Sequence, residues 1–260
     1  MKSRASEKTW ESALARFLRP WEKRRYVLGA LVTGSRAFGV ADKYSDIDVH
    51  IAMSDKVKWR ERGNRRVDGF LVEYFANPLR MYPKYYREGA KAGSRSTARM
   101  FACGRILFDK DGSLGRLRKW AKRMMSQRLA RPGKMFIEPA KYHMWDMEDG
   151  LLSLKERRSP GFWYAYYLAL DRIIELYREF LGQETPAQDK IWEYLTNSKF
   201  RRAHRIRPFP DQHFNAMARK CMKEKSISLA FRALSCLVAH VQKRMGGFQI
   251  DGWKFRTKAK

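Results

Sequence analysis

An alternating segment at residues 46–53, DIDVHIAM, limits how this chain can fold more than any other feature of it. Successive side chains of a β-strand point to opposite faces of a sheet, so this alternation predicts a half-buried strand. Asp46, Asp48 and His50 share one face of that strand, and the apolar side chains share the other. Two carboxylates that project the same way from one strand indicate a functional site as well as a sheet.

Further strands flank this segment. The apolar run YVLGALVT at 26–33 ends at Gly34-Ser35, which predicts a buried strand followed by a tight turn. A strand pair is expected within 57–78, with Gly63-Asn64 and Asp68-Gly69 as turn signals. A short strand is expected at residues 105–108, and a covering helix from Glu7 to about Arg24.

The C-terminal half predicts helices only. Beyond Arg131-Pro132-Gly133, the apolar residues recur at three- and four-residue steps. The expected fold class is therefore α+β. A domain at 1–130, with a small mixed sheet flanked by helices, precedes an all-α helical bundle at 131–260 that ends in a basic tail.

The chain from Gly34 to Glu73 predicts a metal site. Gly34-Ser35 is followed by ten residues and then by Asp46-x-Asp48. Carboxylates at i and i+2 of one strand can bind hard divalent cations. Glu73 lies between two large apolar residues on its strand face, a position that needs a reason, and we predict that it is the third ligand. Asp68 is the alternative, but Asp68-Gly69 is typical of a turn.

Small residues near these acids predict a nucleotide site. Gly34 allows close backbone approach, and the Ser35 hydroxyl with N–H groups at a helix start can bind the β- and γ-phosphates of a nucleotide. Arg36 and Ser45 complete the predicted nucleotide-binding set. Bound Mg²⁺ would neutralise the triphosphate during displacement at its α-phosphorus.

These residues resemble the motif of the nucleotidyltransferase superfamily, which includes polymerase-β-like enzymes, antibiotic nucleotidyltransferases and minimal nucleotidyltransferases. Its Gly-Ser pair, spacer and Asp-x-Asp are matched by Gly34, Ser35, Asp46 and Asp48, and its later carboxylate by Glu73. The helical half resembles the substrate-binding domains of the antibiotic-modifying members and HEPN-type bundles. The resemblance implies a Mg²⁺-dependent enzyme that transfers a nucleoside monophosphate from an NTP to a hydroxyl acceptor. ATP is the NTP that we expect.

The acceptor hydroxyl also needs a general base. Glu148, Asp149 and Asp146 are candidates for this role, in a segment that we expect to face a cleft between the domains. Arg207 and His213 have the Arg-x5-His spacing of HEPN-type ribonucleases, but the prolines between them make a regular helix there improbable.

The charge of the chain bears on the acceptor. The sequence carries 55 Lys and Arg against 27 Asp and Glu, a net charge of +28, which favours polyanions and opposes polycations such as aminoglycosides. We expect a small neutral hydroxylated acceptor. The alternatives are an RNA 3′ end, gripped by the basic helix between Arg116 and Arg131, and a non-catalytic, antitoxin-like binding module.

The expected location is the cytoplasm. The three cysteines are an odd number without CxxC spacing, which is typical of reduced thiols. Charges interrupt the N-terminal segment where a signal peptide is apolar, and no apolar stretch is long enough for a membrane span.

Overall fold

The computed structural model describes residues 9–91, 93–184 and 186–258. The fold is α+β, with a mixed sheet and its helices followed by a mostly helical region. Contacts between Cα atoms divide the chain into two units. The first comprises the chain as far as Arg128 together with Lys199–Ile206, and the second comprises Leu129–Ser198 and the chain from Arg207 onward.

Five strands form one sheet in the order β3-β4-β2-β1-β5. The strands are β1 (Val27–Thr33), β2 (Ile47–Met53), β3 (Glu61–Val67), β4 (Phe70–Pro78) and β5 (Arg105–Asp109). Strands β2 and β4 are parallel, and the other neighbours are antiparallel. The strands expected from the alternating segment and from the apolar run before it are confirmed.

Eleven α-helices lie in the described residues. They are α1 (Trp10–Glu22), α2 (Gly34–Phe38), α3 (Met81–Lys91), α4 (Ser96–Cys103), α5 (Ser113–Ser126), α6 (Lys134–Glu156), α7 (Phe162–Phe180), α8 (Ile191–Thr196), α9 (Ser198–Ala203), α10 (Gln212–Lys223) and α11 (Ile227–Arg244). The helix expected from Glu7 is observed as α1, and residues 7 and 8 lie outside the described part. None of the helices in the described residues is long and apolar enough to cross a membrane.

The β3–β4 hairpin corrects one of the predicted turns. Asp68 and Gly69 both have positive φ angles, 52° and 90°, as a two-residue hairpin turn of type I′ requires. The turn predicted at Gly63-Asn64 is wrong, because β3 runs through both residues. A Cβ atom at Gly63 would lie 2.7 Å from the hydroxyl of Tyr74 on the paired strand, so this glycine makes room for a ring.

The two faces of the sheet have different covers. One face carries the apolar side chains of β2 and packs against α1, through residues such as Phe17 and Trp21. On the other face, α3, α4 and α5 pack on Leu31 and Ala52. Asp48 alternates with the residues that face α1, so its side chain lies on the α3–α5 side of the sheet.

The regular secondary structure in the described residues of the second unit is helical. Its core is formed by apolar residues of α7, α10 and α11, among them Tyr166, Ile173 and Leu237. The Tyr166 hydroxyl donates a hydrogen bond to the carbonyl oxygen of Cys221, over a distance of 2.9 Å. The periodicity of the sequence predicted these helices.

Candidate metal centre

Three carboxylates meet at one end of strands β2 and β4. Asp48 pairs with Glu73 in the parallel ladder, so the two side chains lie on the same face of the sheet. Asp46 immediately precedes β2, two residues before Asp48. One carboxylate oxygen from each of the three residues lies within 4.8 Å of the others, and all three residues are half-buried. The structure therefore brings together the three acids expected from the sequence.

Gly34 forms one wall of this cluster. Its φ angle is 73°, in the left-handed region that glycine adopts without strain. A Cβ atom at this position would lie 2.0 Å from Oδ2 of Asp48 and 3.0 Å from its Cγ. The close approach of the backbone to Asp48 therefore requires glycine at position 34 for two reasons: its backbone conformation and its lack of a side chain.

The three carboxylates of the cluster shift one another's electrostatics. Burial, followed by the negative charges of Asp46 and Glu73, raises the pKa of Asp48 to about 6. Carboxylates that repel one another in a partly buried place are stabilised by a bound cation. The donor set of three carboxylates is the oxygen chemistry that Mg²⁺ prefers, so these residues fit such an ion.

Arg62 is the counter-ion that sequence reasoning missed. Its Nη2 donates to Oε1 of Glu73 over 2.6 Å, and its guanidinium lies 4.9 Å from the ring centroid of Phe75. Counting residue pairs outward from the Asp68-Gly69 turn places Asn64 opposite Glu73. Arg62 is two residues further from the turn on the same face of β3. The hairpin register is thus the signal that could have found it.

Arg36 and Ser45, two predicted nucleotide-binding residues, make structural bonds. The Arg36 guanidinium donates to the carbonyl oxygens of Ser45 and Asp46, with its Nε 3.1 Å from each. The Ser45 hydroxyl donates to Oδ1 of Asp42 over 2.9 Å and closes the turn before β2. Both residues hold the loop that carries Asp46. Ser35 is the second residue of α2 and is half-buried.

His50 lies below the acids on the same strand face. Its ring is 6 % exposed and packs against Phe75, Tyr82 and Phe101. Burial lowers the pKa of His50 to about 4, so the ring is neutral at pH 7. Neither of its nitrogens has a hydrogen-bond partner in the part of the chain that the structure describes.

The alternative third acid, Asp68, lies elsewhere. It occupies the β3–β4 turn and forms an ion pair with Arg16 of α1, the helix on the opposite face of the sheet. Glu73, and not Asp68, therefore belongs to the acidic cluster.

The candidate bases lie within helix α6 of the second unit. Glu148 is half-buried, and burial raises the pKa of its carboxyl group. Asp146 and Asp149 are exposed on the same helix. Arg207 and His213 do not share a helix, because the chain between them is irregular as far as the start of α10.

Comparisons with known proteins find similarity among solved structures. No family model matches the sequence, and no curated protein matches it. Among solved structures, the chain is similar to a nucleotidyltransferase-like protein from Exiguobacterium sibiricum 255-15, with 11% sequence identity and a TM-score of 0.47. The match covers 91% of this chain and 75% of the other. The three carboxylates, and not this distant similarity, carry the functional conclusion.

Proposed function

We propose that this protein is a Mg²⁺-dependent nucleotidyltransferase that transfers a nucleoside monophosphate from an NTP to a hydroxyl acceptor, with ATP as the expected NTP. The observation that supports it is the cluster of Asp46, Asp48 and Glu73, whose oxygens lie within 4.8 Å of one another beside Gly34. The resemblance of the Gly-Ser and Asp-x-Asp pattern to nucleotidyltransferases points to the same reaction.

The side chains divide the work between them. Asp46, Asp48 and Glu73 would hold the ion, which when bound supplies charge neutralisation at the phosphate oxygens. Gly34 keeps the backbone close to Asp48, and Ser35 presents a hydroxyl to the phosphates. Arg36 positions Asp46 through its bonds to the preceding loop.

The reaction requires a base that accepts the proton of the acceptor hydroxyl. The acceptor oxygen forms a bond to the α-phosphorus, the bond between the α-phosphorus and the bridging oxygen breaks, and pyrophosphate leaves. The hydroxyl proton goes to a base, and we assign that role to Glu148 or Asp149. Burial raises the pKa of Glu148, which moves it towards the neutral range where general bases operate.

For the acceptor, the sequence favours a small neutral hydroxylated molecule, as in antibiotic adenylyl transfer. The net charge of +28 opposes a polycationic acceptor. A nucleic acid strand is the second candidate, because the same charge attracts it. A non-catalytic binding module is the third candidate, and the Asp48→Asn variant separates it from an enzyme.

Transfer is tested with labelled NTPs. The purified protein is incubated with each α-labelled NTP, Mg²⁺ and parallel panels of hydroxylated antibiotics, RNAs and proteins. We expect label in one panel, its loss with EDTA, and a fall by orders of magnitude in Asp48→Asn, because one oxygen ligand is replaced by an amide. Asp251→Asn removes one exposed carboxylate and serves as the control.

The proposal is overturned if no NTP labels any panel while Mg²⁺ is present. It is also overturned if labelling persists in Asp48→Asn at the level of Asp251→Asn. A binding module would retain its partner in Asp48→Asn and label nothing.

A further inference from the structure

A groove in the second unit lies outside the acidic site. It has a volume of about 430 Å³ and runs between helices α8 and α10. Trp192 and Thr196 line it from α8, four residues apart and therefore on one helical face. Arg219, Lys220 and Lys223 line it from α10.

The cations of this groove form no ion pair within the described part of the chain. Arg219, Lys220 and Lys223 are exposed, and none of them forms an ion pair with a carboxylate of the described residues. Lys223 lies three residues after Lys220 and four residues after Arg219 on α10, so the three cations form a stripe of about one helical turn. Glu224 is the single acid lining the groove. Such a stripe favours a ligand that carries several negative charges in a row.

An aromatic ring opens onto the same groove. Trp192 is 39 % exposed, unlike the buried rings of the unit such as Phe214. Nζ of Lys223 lies over one face of the Trp192 ring, 5.4 Å from its centroid, so a cation already contacts this ring. Ala216, a small exposed residue of α10, also lines the groove. Unstacked bases bind such rings, and their phosphates bind neighbouring cations.

We infer that the α8–α10 groove binds single-stranded nucleic acid, with a base on Trp192 and successive phosphates along Arg219, Lys220 and Lys223. A duplex fits less well because its bases are already stacked and leave no free face for the ring. A mononucleotide places its charge on one phosphate chain, whereas the cations extend along the helix. A strand uses the ring and the whole stripe.

Strand binding goes beyond the proposed function and does not rest on the proposed transfer. Binding is therefore measured without NTP and in EDTA, so that a failure of the groove and a failure of the metal centre are seen separately.

The test is fluorescence anisotropy with labelled twelve-nucleotide oligo-U and oligo-dT, and with a duplex of the same length. We expect the strands to bind at least ten-fold more tightly than the duplex, with affinity that falls as salt rises. Replacing all three cations by glutamine should weaken binding at least ten-fold. It should also reduce the salt slope by about 2, because each phosphate contact to a single strand contributes about 0.7.

The ring is tested separately. Trp192→Ala should weaken strand binding roughly ten-fold, since one base loses the ring on which it stacks. Trp192→Phe keeps a ring and should recover most of the affinity. Circular dichroism and the thermal midpoint show that each variant is folded, and Trp192→Phe provides a readout if the alanine variant is not.

Matched variants separate a groove from diffuse charge. Arg232, Lys243 and Lys254 are exposed cations of the same unit, and their triple replacement by glutamine removes the same charge. Tyr164→Ala removes a ring that is 75 % exposed on α7. Both controls should change strand affinity less than two-fold. The inference is overturned if the two triple variants weaken binding equally, if the duplex binds as tightly as the strand, or if millimolar ATP displaces the strand.

Discussion

A single carboxylate, Asp48, sets the electrostatics of the candidate metal centre. It lies opposite Glu73 in the ladder and two residues from Asp46, and burial together with these charges raises its pKa to about 6. The protein thus contains an acid whose charge is unfavourable until a cation arrives. Metal affinity should therefore fall as the pH decreases below about 6, since the proton competes with the ion.

This raised pKa predicts how stability depends on pH in the metal-free protein. Between 3.8 and about 6 the folded state binds the Asp48 proton more tightly than the unfolded state, so stability decreases as pH rises through that range. Asp48→Asn should remove this dependence and raise the free energy of unfolding at pH 7 by up to about 3 kcal/mol. The benefit should vanish near pH 4. Urea unfolding in EDTA measures it, and destabilisation by Asp48→Asn at pH 7 would contradict the prediction.

The contact between Gly34 and Asp48 gives a second prediction. Gly34→Ala should lower metal affinity at least ten-fold, because the new Cβ would occupy the place of Asp48 Oδ2. Gly39 is a close control, since its φ angle is also 73° and a Cβ there would meet nothing within 4 Å. Both variants carry the strain of a left-handed alanine, roughly 1–2 kcal/mol. Calorimetry should show that Gly39→Ala keeps its metal affinity, and equal losses in both variants would sink the steric explanation.

Arg62 gives a third prediction. Although burial dominates the pKa of Asp48, the Arg62 guanidinium lowers it, and Arg62→Ala should therefore raise it further. The pH midpoint of Mg²⁺ binding should then move upward, by a few tenths of a pH unit or more. Arg66→Ala, on the same face of β3, is the control because Arg66 is also exposed and also two residues from the partner of Glu73, but forms no ion pair with Glu73. A midpoint that moves equally in both variants would remove the special role of Arg62.

The elements of the first unit explain how much of the site the sequence could predict. Alternation predicted that Asp46 and Asp48 project the same way, although β2 begins only after Asp46, and the Asp68-Gly69 turn was recognisable from its residue types. The parallel pairing of β2 with β4 could not be recognised, because nothing local in the sequence specifies which strands become neighbours. Gly63 predicts a turn from its residue type, but a glycine is needed there because the Tyr74 ring of the paired strand leaves no space for a side chain. That ring lies on another strand and is not visible in the local sequence.

Helix α10 depends on one acid at its start. Asp211 accepts hydrogen bonds from the N–H of Phe214 over 2.9 Å and from the Tyr177 hydroxyl over 2.6 Å, and His240 Nε2 lies 2.8 Å away. Burial would raise its pKa, but these bonds together lower the pKa of Asp211 to about 2. The cap therefore joins α7, α10 and α11 through a single carboxylate.

Asp211→Ala should destabilise the protein by about 2 kcal/mol or more at pH 7, because a helix cap is lost and the Tyr177 hydroxyl loses its acceptor. The lowered pKa means that the stabilisation is complete above about pH 4 and is lost as pH falls towards 2. Asp189→Asn, at an exposed ion pair with Lys190, should cost less than about 0.5 kcal/mol. Thermal melts at pH 7 and pH 3 decide it, and an unchanged difference between the two pH values would count against the cap.

The division of the whole molecule was only partly readable from the sequence. The predicted boundary between 130 and 131 followed from a Pro-Gly break, whereas contacts assign Lys199–Ile206 to the first unit. His204 shows why: its ring lies 5.2 Å from that of Phe38, and its carbonyl accepts from Arg99 Nη1 over 3.3 Å. Contacts between residues more than one hundred positions apart leave no local pattern.

Magnesium binding by titration calorimetry tests the central claim most directly, with wild-type protein, Asp48→Asn and Asp251→Asn compared at pH 7.5 without nucleotide. We predict that Mg²⁺ binds the wild type and Asp251→Asn alike, and that Asp48→Asn loses at least ten-fold in affinity. Equal Mg²⁺ affinity in all three proteins, or no heat of binding in any of them, would contradict a metal centre built from Asp46, Asp48 and Glu73.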